Sequence, residues 1–225
     1  MKALPEEDVE LTRQRYRQRY EDHGYSPRTL GWNKDRQAIR FQSLSSLFDL
    51  KDASVLDIGC GFADLYTFLK DNDQAPADYL GIDLVPELTE EAIRRLAGEP
   101  ISVRCGDFLA EDTPPVDFAF ASGVFNHRFA QGDNEAFIEA VMRKAARVCR
   151  QGFAFDFLSD RVDRRLEHTF HSSPERILEI ALNLSRRVVL RNDYLPFEFS
   201  IHVFLEDGFD PERAVFRKPQ ERSTR

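Results

Sequence analysis

Apolar positions along the chain follow two alternating rhythms. Short extended runs are separated by stretches whose apolar residues recur every three or four positions. That alternation predicts an α/β fold with a parallel sheet and crossover helices. The first strand, residues 54–58, runs into the glycine turn Gly59-Cys60-Gly61. A helix carrying Leu65, Phe68 and Leu69 follows and ends at Asp71-Asn72-Asp73. The second strand, Tyr79-Leu80-Gly81-Ile82, stops at Asp83. Pro86 opens the next helix, with Leu88, Ala92, Ile93 and Leu96 read as one side. Residues 101–105 and 116–121 are the third and fourth strands. A helix over 134–150 carries Phe137, Ile138, Val141, Ala145 and Val148 at core spacing, and 153–157 is the fifth strand.

The pattern changes at both ends. Residues 9–22 predict a helix that stops near His23-Gly24, followed by an irregular link through Trp32. Asn33 is the candidate cap of a second helix, with Ile39, Phe41, Leu44, Leu47 and Phe48 on its apolar side. Residues 159–173 form a polar insertion, and 174–184 another amphipathic helix. Two last strands, 188–190 and 197–205, are joined by so short a link that they must form an antiparallel hairpin. The polar tail after Gly208 is expected to fray. Three segments result: 1–34, an N-terminal helix with a covering segment; 35–208, the main domain; and 209–225, the tail.

Composition narrows the class. A length of 225 residues, 42% hydrophobic and 31% charged, suits one globular domain. The net charge of -8 and the lack of a long basic stretch argue against a nucleic-acid partner. The basic run at 13–19 is read as a solvated helix face balanced by neighbouring acids. There is no signal-peptide pattern at the N-terminus and no apolar run near the roughly 20 residues of a membrane span, so a cytoplasmic location is expected. Cys60, Cys105 and Cys149 lack zinc or redox spacing and are read as reduced, buried thiols. No metal site is expected.

The chemistry concentrates at Asp57-Ile58-Gly59-Cys60-Gly61-Phe62-Ala63-Asp64. Glycines after an apolar strand permit a tight turn and bring bare backbone to a ligand. The helix that follows offers unpaired N–H groups and a positive dipole end. A dinucleotide fingerprint would place a third glycine at position 64, where an acid stands instead. That acid would repel a pyrophosphate but tolerates a cofactor carrying an ammonium and a sulfonium.

This segment resembles the first motif of the class I S-adenosylmethionine-dependent methyltransferases, an acid followed by Gly-x-Gly-x-Gly, with Ala63 at the third glycine. The resemblance covers residues 35–205. It implies a doubly wound, Rossmann-like, mostly parallel seven-stranded sheet with an antiparallel last strand, and S-adenosyl-L-methionine as cofactor. It also implies cofactor contacts from Asp57, Gly59, Cys60, Gly61, Leu84, Phe108 and Ser122. Asp83, after the second strand, matches the acid that holds the ribose hydroxyls, and Asp107, after the third, the one that holds the adenine amino group. Such enzymes cover the methionine end with a segment before the first strand. Trp32 is the candidate lid, and Arg40 a partner for the carboxylate.

The acceptor is expected to be a small molecule, methylated on oxygen or nitrogen by in-line transfer. The Asn/Asp-Pro-Pro-aromatic run of enzymes acting on nucleic acid or protein amides is absent after the fourth strand. His127 is the candidate base, since histidine titrates near neutrality. Three segments are expected to form the acceptor pocket: 122–129 with Phe125 and Asn126, 159–173 with His168 and His171, and 193–199 with Tyr194 and Glu198. Two other classes remain in view. One is an NAD-dependent oxidoreductase, disfavoured by Asp64 in place of the third glycine and by the expected lack of a Tyr-x-x-x-Lys catalytic pair. The other is a non-catalytic Rossmann-like module, disfavoured by the intact acids and glycines. Oligomeric state is left open.

Overall fold

Strands β1 (Ser54–Ile58), β2 (Asp78–Asp83), β3 (Ile101–Cys105), β4 (Val116–Ala121), β5 (Cys149–Leu158), β6 (Arg187–Arg191) and β7 (Glu198–Phe204) make one seven-stranded sheet. Its order is β3-β2-β1-β4-β5-β7-β6. The computed structural model describes residues 4–31, 36–206, 208–210 and 215–216. The strands β3 to β5 in that order are parallel, while β7 runs antiparallel to both its neighbours. This is the doubly wound sheet with an antiparallel last strand that the sequence implies.

Helices α1 (Glu6–His23), α2 (Arg36–Ser45), α3 (Asp64–Asp71), α4 (Pro86–Arg95), α5 (Asn134–Val148) and α6 (Pro174–Leu182) connect and flank the strands. Strand alternation divides the core between the two faces of the sheet. Leu56, Ile58, Ala119, Phe153 and Phe155 pack toward Ile138, Val141 and Met142 of α5 and Ile177 and Ile180 of α6. Val55, Tyr79, Phe118, Phe120 and Ala154 pack toward Phe41 and Leu44 of α2, Leu65 and Leu69 of α3, and Ala92 of α4. The Asp133 side chain caps α5 by accepting from the amides of Glu135 and Ala136, and the Ser173 hydroxyl accepts from Arg176 at the start of α6.

Several expectations shift. Ile93 and Leu47 are exposed, so the buried side of α4 is set by Leu88 and Ala92 at i,i+4 spacing, joined by Thr89 and Glu91. Strand β5 starts at Cys149, earlier than Gly152 suggested. That glycine serves close packing: a Cβ there would meet the Val203 carbonyl of β7 at 2.5 Å. Cys105 is exposed, while Cys60 and Cys149 are buried. The tail holds a short antiparallel pair, β8 (Phe209–Asp210) with β9 (Val215–Phe216). Trp32 and the cap residue Asn33 lie outside the described residues. No helix among the described residues is long and apolar enough to cross a membrane.

Candidate active site

The carboxyl ends of β1, β2, β3 and β4 open onto one cleft, where ligands bind in sheets of this kind. About 1110 Å³ of space lies in it, part of it continuous with solvent. Its walls include Asp57, Gly59, Cys60, Gly61, Asp83, Leu84, Asp107, Phe108, Ser122 and His127. Residues that are 70 positions apart in the sequence thus meet at one sheet edge.

The turn between β1 and α3 has left-handed backbone at alternate positions, with φ of 69° at Gly59, 53° at Gly61 and 57° at Ala63. Glycine takes this conformation without strain. A Cβ at Gly59 would meet Val124 Cγ2 at 2.5 Å, and one at Gly61 would meet Leu30 Cδ2 at 3.0 Å. Asp83 braces the turn: one carboxylate oxygen accepts from Gly61 N at 2.8 Å, the other from Val85 N at 2.9 Å. Asp57 accepts a hydrogen bond from the Tyr79 hydroxyl. Burial drives the Asp57 pKa up to about 7, the Tyr79 bond opposes that rise, and Asp83 and Asp64 add to it. Burial also raises the Asp83 pKa, against the pull of its backbone amides. Asp107 accepts from Leu109 N at 2.9 Å and from Leu4 N at 3.4 Å, so Leu4 lies beside the third acid.

Helix α1 crosses above this cleft, and sequence patterns missed its role. Arg13 Nε donates to the Leu84 carbonyl at 2.9 Å, Arg17 pairs with Glu87, and the Tyr20 hydroxyl donates to Glu91 at 3.0 Å. At the other end the buried Asp8 carboxylate accepts from the amides of Ala130 and Gly132, both at 2.7 Å. The basic run is therefore more than a solvated face, because two of its arginines fasten the helix to the domain. Thr12 and Tyr16 of α1, with Leu4, Leu30, Gln37 and Phe41, complete the walls.

His127 lines the same cleft. Its Nε2 lies 3.3 Å from the Tyr16 hydroxyl, and the rings meet edge to face with centroids 5.9 Å apart. Burial, then the charges of Arg15, Arg19 and His168, lower its pKa to about 4. The ring is neutral at pH 7. Its chain neighbours Phe125 and Asn126 turn inward: Phe125 stacks on Phe157 in the core, and the Asn126 carbonyl accepts from Phe170 N.

The insertion 159–173 runs beside this segment, with bridges His127 to Thr169 and Ser159 to Ser172. His168 reaches the rim of a second, smaller cleft that also touches His127. His171 is held between the Ser159 carbonyl at 2.7 Å and the Thr169 hydroxyl at 3.0 Å, which fixes the loop. The hairpin goes elsewhere. Glu198 meets Arg40 in a buried, two-point ion pair at 2.6 and 2.5 Å, so neither lines the cleft. Burial and the nearby Asp156 and Glu198 carboxylates raise the Tyr194 pKa. Asp156, at the end of β5, accepts from the Ser122 hydroxyl at 2.6 Å and from Gly123 N at 2.7 Å. It is a fourth strand-end acid that sequence reasoning passed over, although it stands in β5 as Asp57 does in β1.

A Tyr-x-x-x-Lys spacing, a mark of one oxidoreductase class, does occur at Tyr66 and Lys70. Both side chains end on Glu99, and neither lines the cleft.

The sheet order, the glycine turn and the acids at successive strand ends define a Rossmann-like site for an adenosyl cofactor. Residues 55–152 match the family described as a methyltransferase domain. Over 157 residues the chain is 32% identical to Rv1506c of Mycobacterium tuberculosis, provisionally named a methyltransferase, covering 67% of this chain and 92% of that protein. Magnesium protoporphyrin IX methyltransferase of Synechocystis PCC 6803, solved with S-adenosylhomocysteine, superposes with a TM-score of 0.62 at 16% identity, covering 88% of this chain and 100% of that one. Human N-acetylserotonin methyltransferase, solved with S-adenosylmethionine, gives 0.65 at 15% identity over 89% of this chain and 60% of that one. The last two likenesses concern the fold. The chain belongs to the class I S-adenosylmethionine-dependent methyltransferases, and S-adenosylmethionine is its cofactor.

Proposed function

We propose that this enzyme methylates an oxygen or nitrogen of a small molecule, with the cofactor in the main cleft and the acceptor beside His127. The observation that carries this reading is the convergence of Asp57, Asp83 and Asp107 on one roofed cleft with a bare glycine turn. The donor set fits an adenosyl-methionine group: carboxylates suit ribose hydroxyls, an adenine amino group and an ammonium. Asp83 faces the ribose in this reading, Asp107 the adenine, and Asp57 the amino-acid end. Gly59, Cys60, Gly61, Leu84, Phe108 and Ser122 line the path between them. Residues 4–31 serve as a roof on the domain formed by 35–208. The similar folds named for methylation of magnesium protoporphyrin IX and of N-acetylserotonin support a small-molecule acceptor.

Bound there, S-adenosylmethionine supplies a sulfonium-borne methyl group for in-line displacement by the acceptor. The chain's residues align, desolvate and, for a hydroxyl acceptor, remove a proton. His127 is uncharged at pH 7 and takes that proton on Nε2 once the acceptor's hydroxyl displaces the Tyr16 hydroxyl that meets this nitrogen. Asp156 holds Ser122 and Gly123 in place beneath the reacting groups. The test is calorimetric titration with S-adenosylmethionine, followed by labelled methyl transfer into a small-molecule extract. Absence of cofactor binding by the folded chain overturns the site assignment.

A further inference from the structure

We propose that the acceptor carries an anionic group, a carboxylate or phosphate, held by Arg15 and Arg128 in the smaller cleft beside His127. This rests on the main cleft being the methyl-donor site. The smaller cleft encloses about 600 Å³, part of it open to solvent, and its walls include Arg15, Arg128 and His168. Thr12, His127 and Phe129 line both clefts, so the two adjoin at the candidate base.

The arginines of α1 divide in two by what they touch. Arg13 is spent on the Leu84 carbonyl and Arg17 on Glu87. Arg15 is half-buried and Arg128 exposed; both line the cleft, and among the described residues the side chain of neither meets a carboxylate or carbonyl. Asp8 also lines the cleft, but its two oxygens accept from the amides of 130–132 and it forms no ion pair with either arginine. Glu167 stands exposed on the rim. A partly desolvated guanidinium without a partner is costly, and an anion with paired oxygens matches its fork geometry. The positive field is felt at His127, whose pKa is depressed first by burial and then by the charges of Arg15, Arg19 and His168. Such a patch on a chain of net charge -8 marks a place where anions are drawn in locally.

The experiment titrates the protein, saturated with S-adenosylhomocysteine, with salicylate, phenyl phosphate and the neutral salicylamide. Expected is at least roughly tenfold tighter binding of one or both anions than of the amide. The Arg15→Gln/Arg128→Gln double variant should lose that preference while its S-adenosylhomocysteine affinity stays unchanged. The better of salicylate and phenyl phosphate identifies the anionic group. Equal binding of salicylamide, no binding of either anion, or a preference that survives in the double variant overturns the proposal. Failure of S-adenosylhomocysteine to bind the unaltered protein instead sinks the donor-site reading, and is seen before any probe is added.

Discussion

Arg40 and Glu198 are 158 positions apart in the chain, yet their charged groups meet fork to fork with side chains only 3% and 4% exposed. The pair ties α2 to the start of β7. Buried ion pairs recover their desolvation cost only as pairs, so removing one partner is far worse than replacing both. Arg40→Ala is expected to destabilise the fold by about 3–5 kcal/mol, because it strands Glu198 and also removes a cation that favours the ionised form of Asp156. Arg40→Met with Glu198→Leu should recover most of that loss. Urea unfolding of the three proteins decides it, and a double variant no better than the single one contradicts the coupling.

Gly61→Val should abolish cofactor binding. The φ of 53° strains any branched side chain, at about 1–2 kcal/mol for left-handed backbone, and Leu30 must also give way. Calorimetry reports the binding and circular dichroism the fold. Unchanged affinity in a folded variant would show that the turn does not touch the ligand.

Asp83→Ala should weaken S-adenosylmethionine by about 1.5–3 kcal/mol, the scale of hydrogen bonds to a charged group. Since Asp83 also braces Gly61 and Val85, some loss of thermal stability accompanies it. A cofactor analogue without ribose hydroxyls separates the two effects. If it loses as much affinity as the natural cofactor, the carboxylate acts only through the turn.

Affinity for the cofactor should climb as pH rises toward about 7 and then level off. Asp57 is largely protonated below its raised pKa of about 7, and a cationic ligand favours its carboxylate form. Binding therefore releases a proton in that window. In the empty protein the same shift makes stability fall as pH rises from the ordinary carboxylate range through 7, since the folded state holds the proton more tightly. Asp57→Asn should flatten both slopes. Titrations in buffers of different ionisation heat count the protons, and a slope that persists in the variant assigns it elsewhere.

His127→Phe should lower kcat by roughly 10²-fold or more while leaving the KM for S-adenosylmethionine unchanged, if a hydroxyl acceptor needs its proton removed. With the pKa near 4, the rate should show no histidine-dependent acid limb above pH 5 or so. A kcat within twofold of the unaltered enzyme would leave alignment alone as the source of the rate.

The sheet was legible because its signals are local. Apolar runs, breaking residues and acids at strand ends all lie within one βαβ unit, and the motif from Asp57 to Ala63 needs no distant partner to be seen. The roof was not legible. Nothing in 13–19 tells that Arg13 will find a carbonyl 71 positions away, or that Asp8 will cap amides beyond residue 129. Arg40 shows the same limit: position before β1 suggested a cofactor contact, whereas the packing of α2 on β7 delivered a buried acid first. Gly152 misled for a different reason. It was read as leading into the fifth strand, but it lies within β5 and serves the close approach of two strands.

The contact of Leu4 N with Asp107 bears on how the protein is handled at the bench. Foreign residues introduced at Leu4 stand at the doorway of the proposed adenine end, where histidine-rich or acidic ones can compete for it. Preparations that differ in sequence at that threshold should not be pooled when affinities are compared.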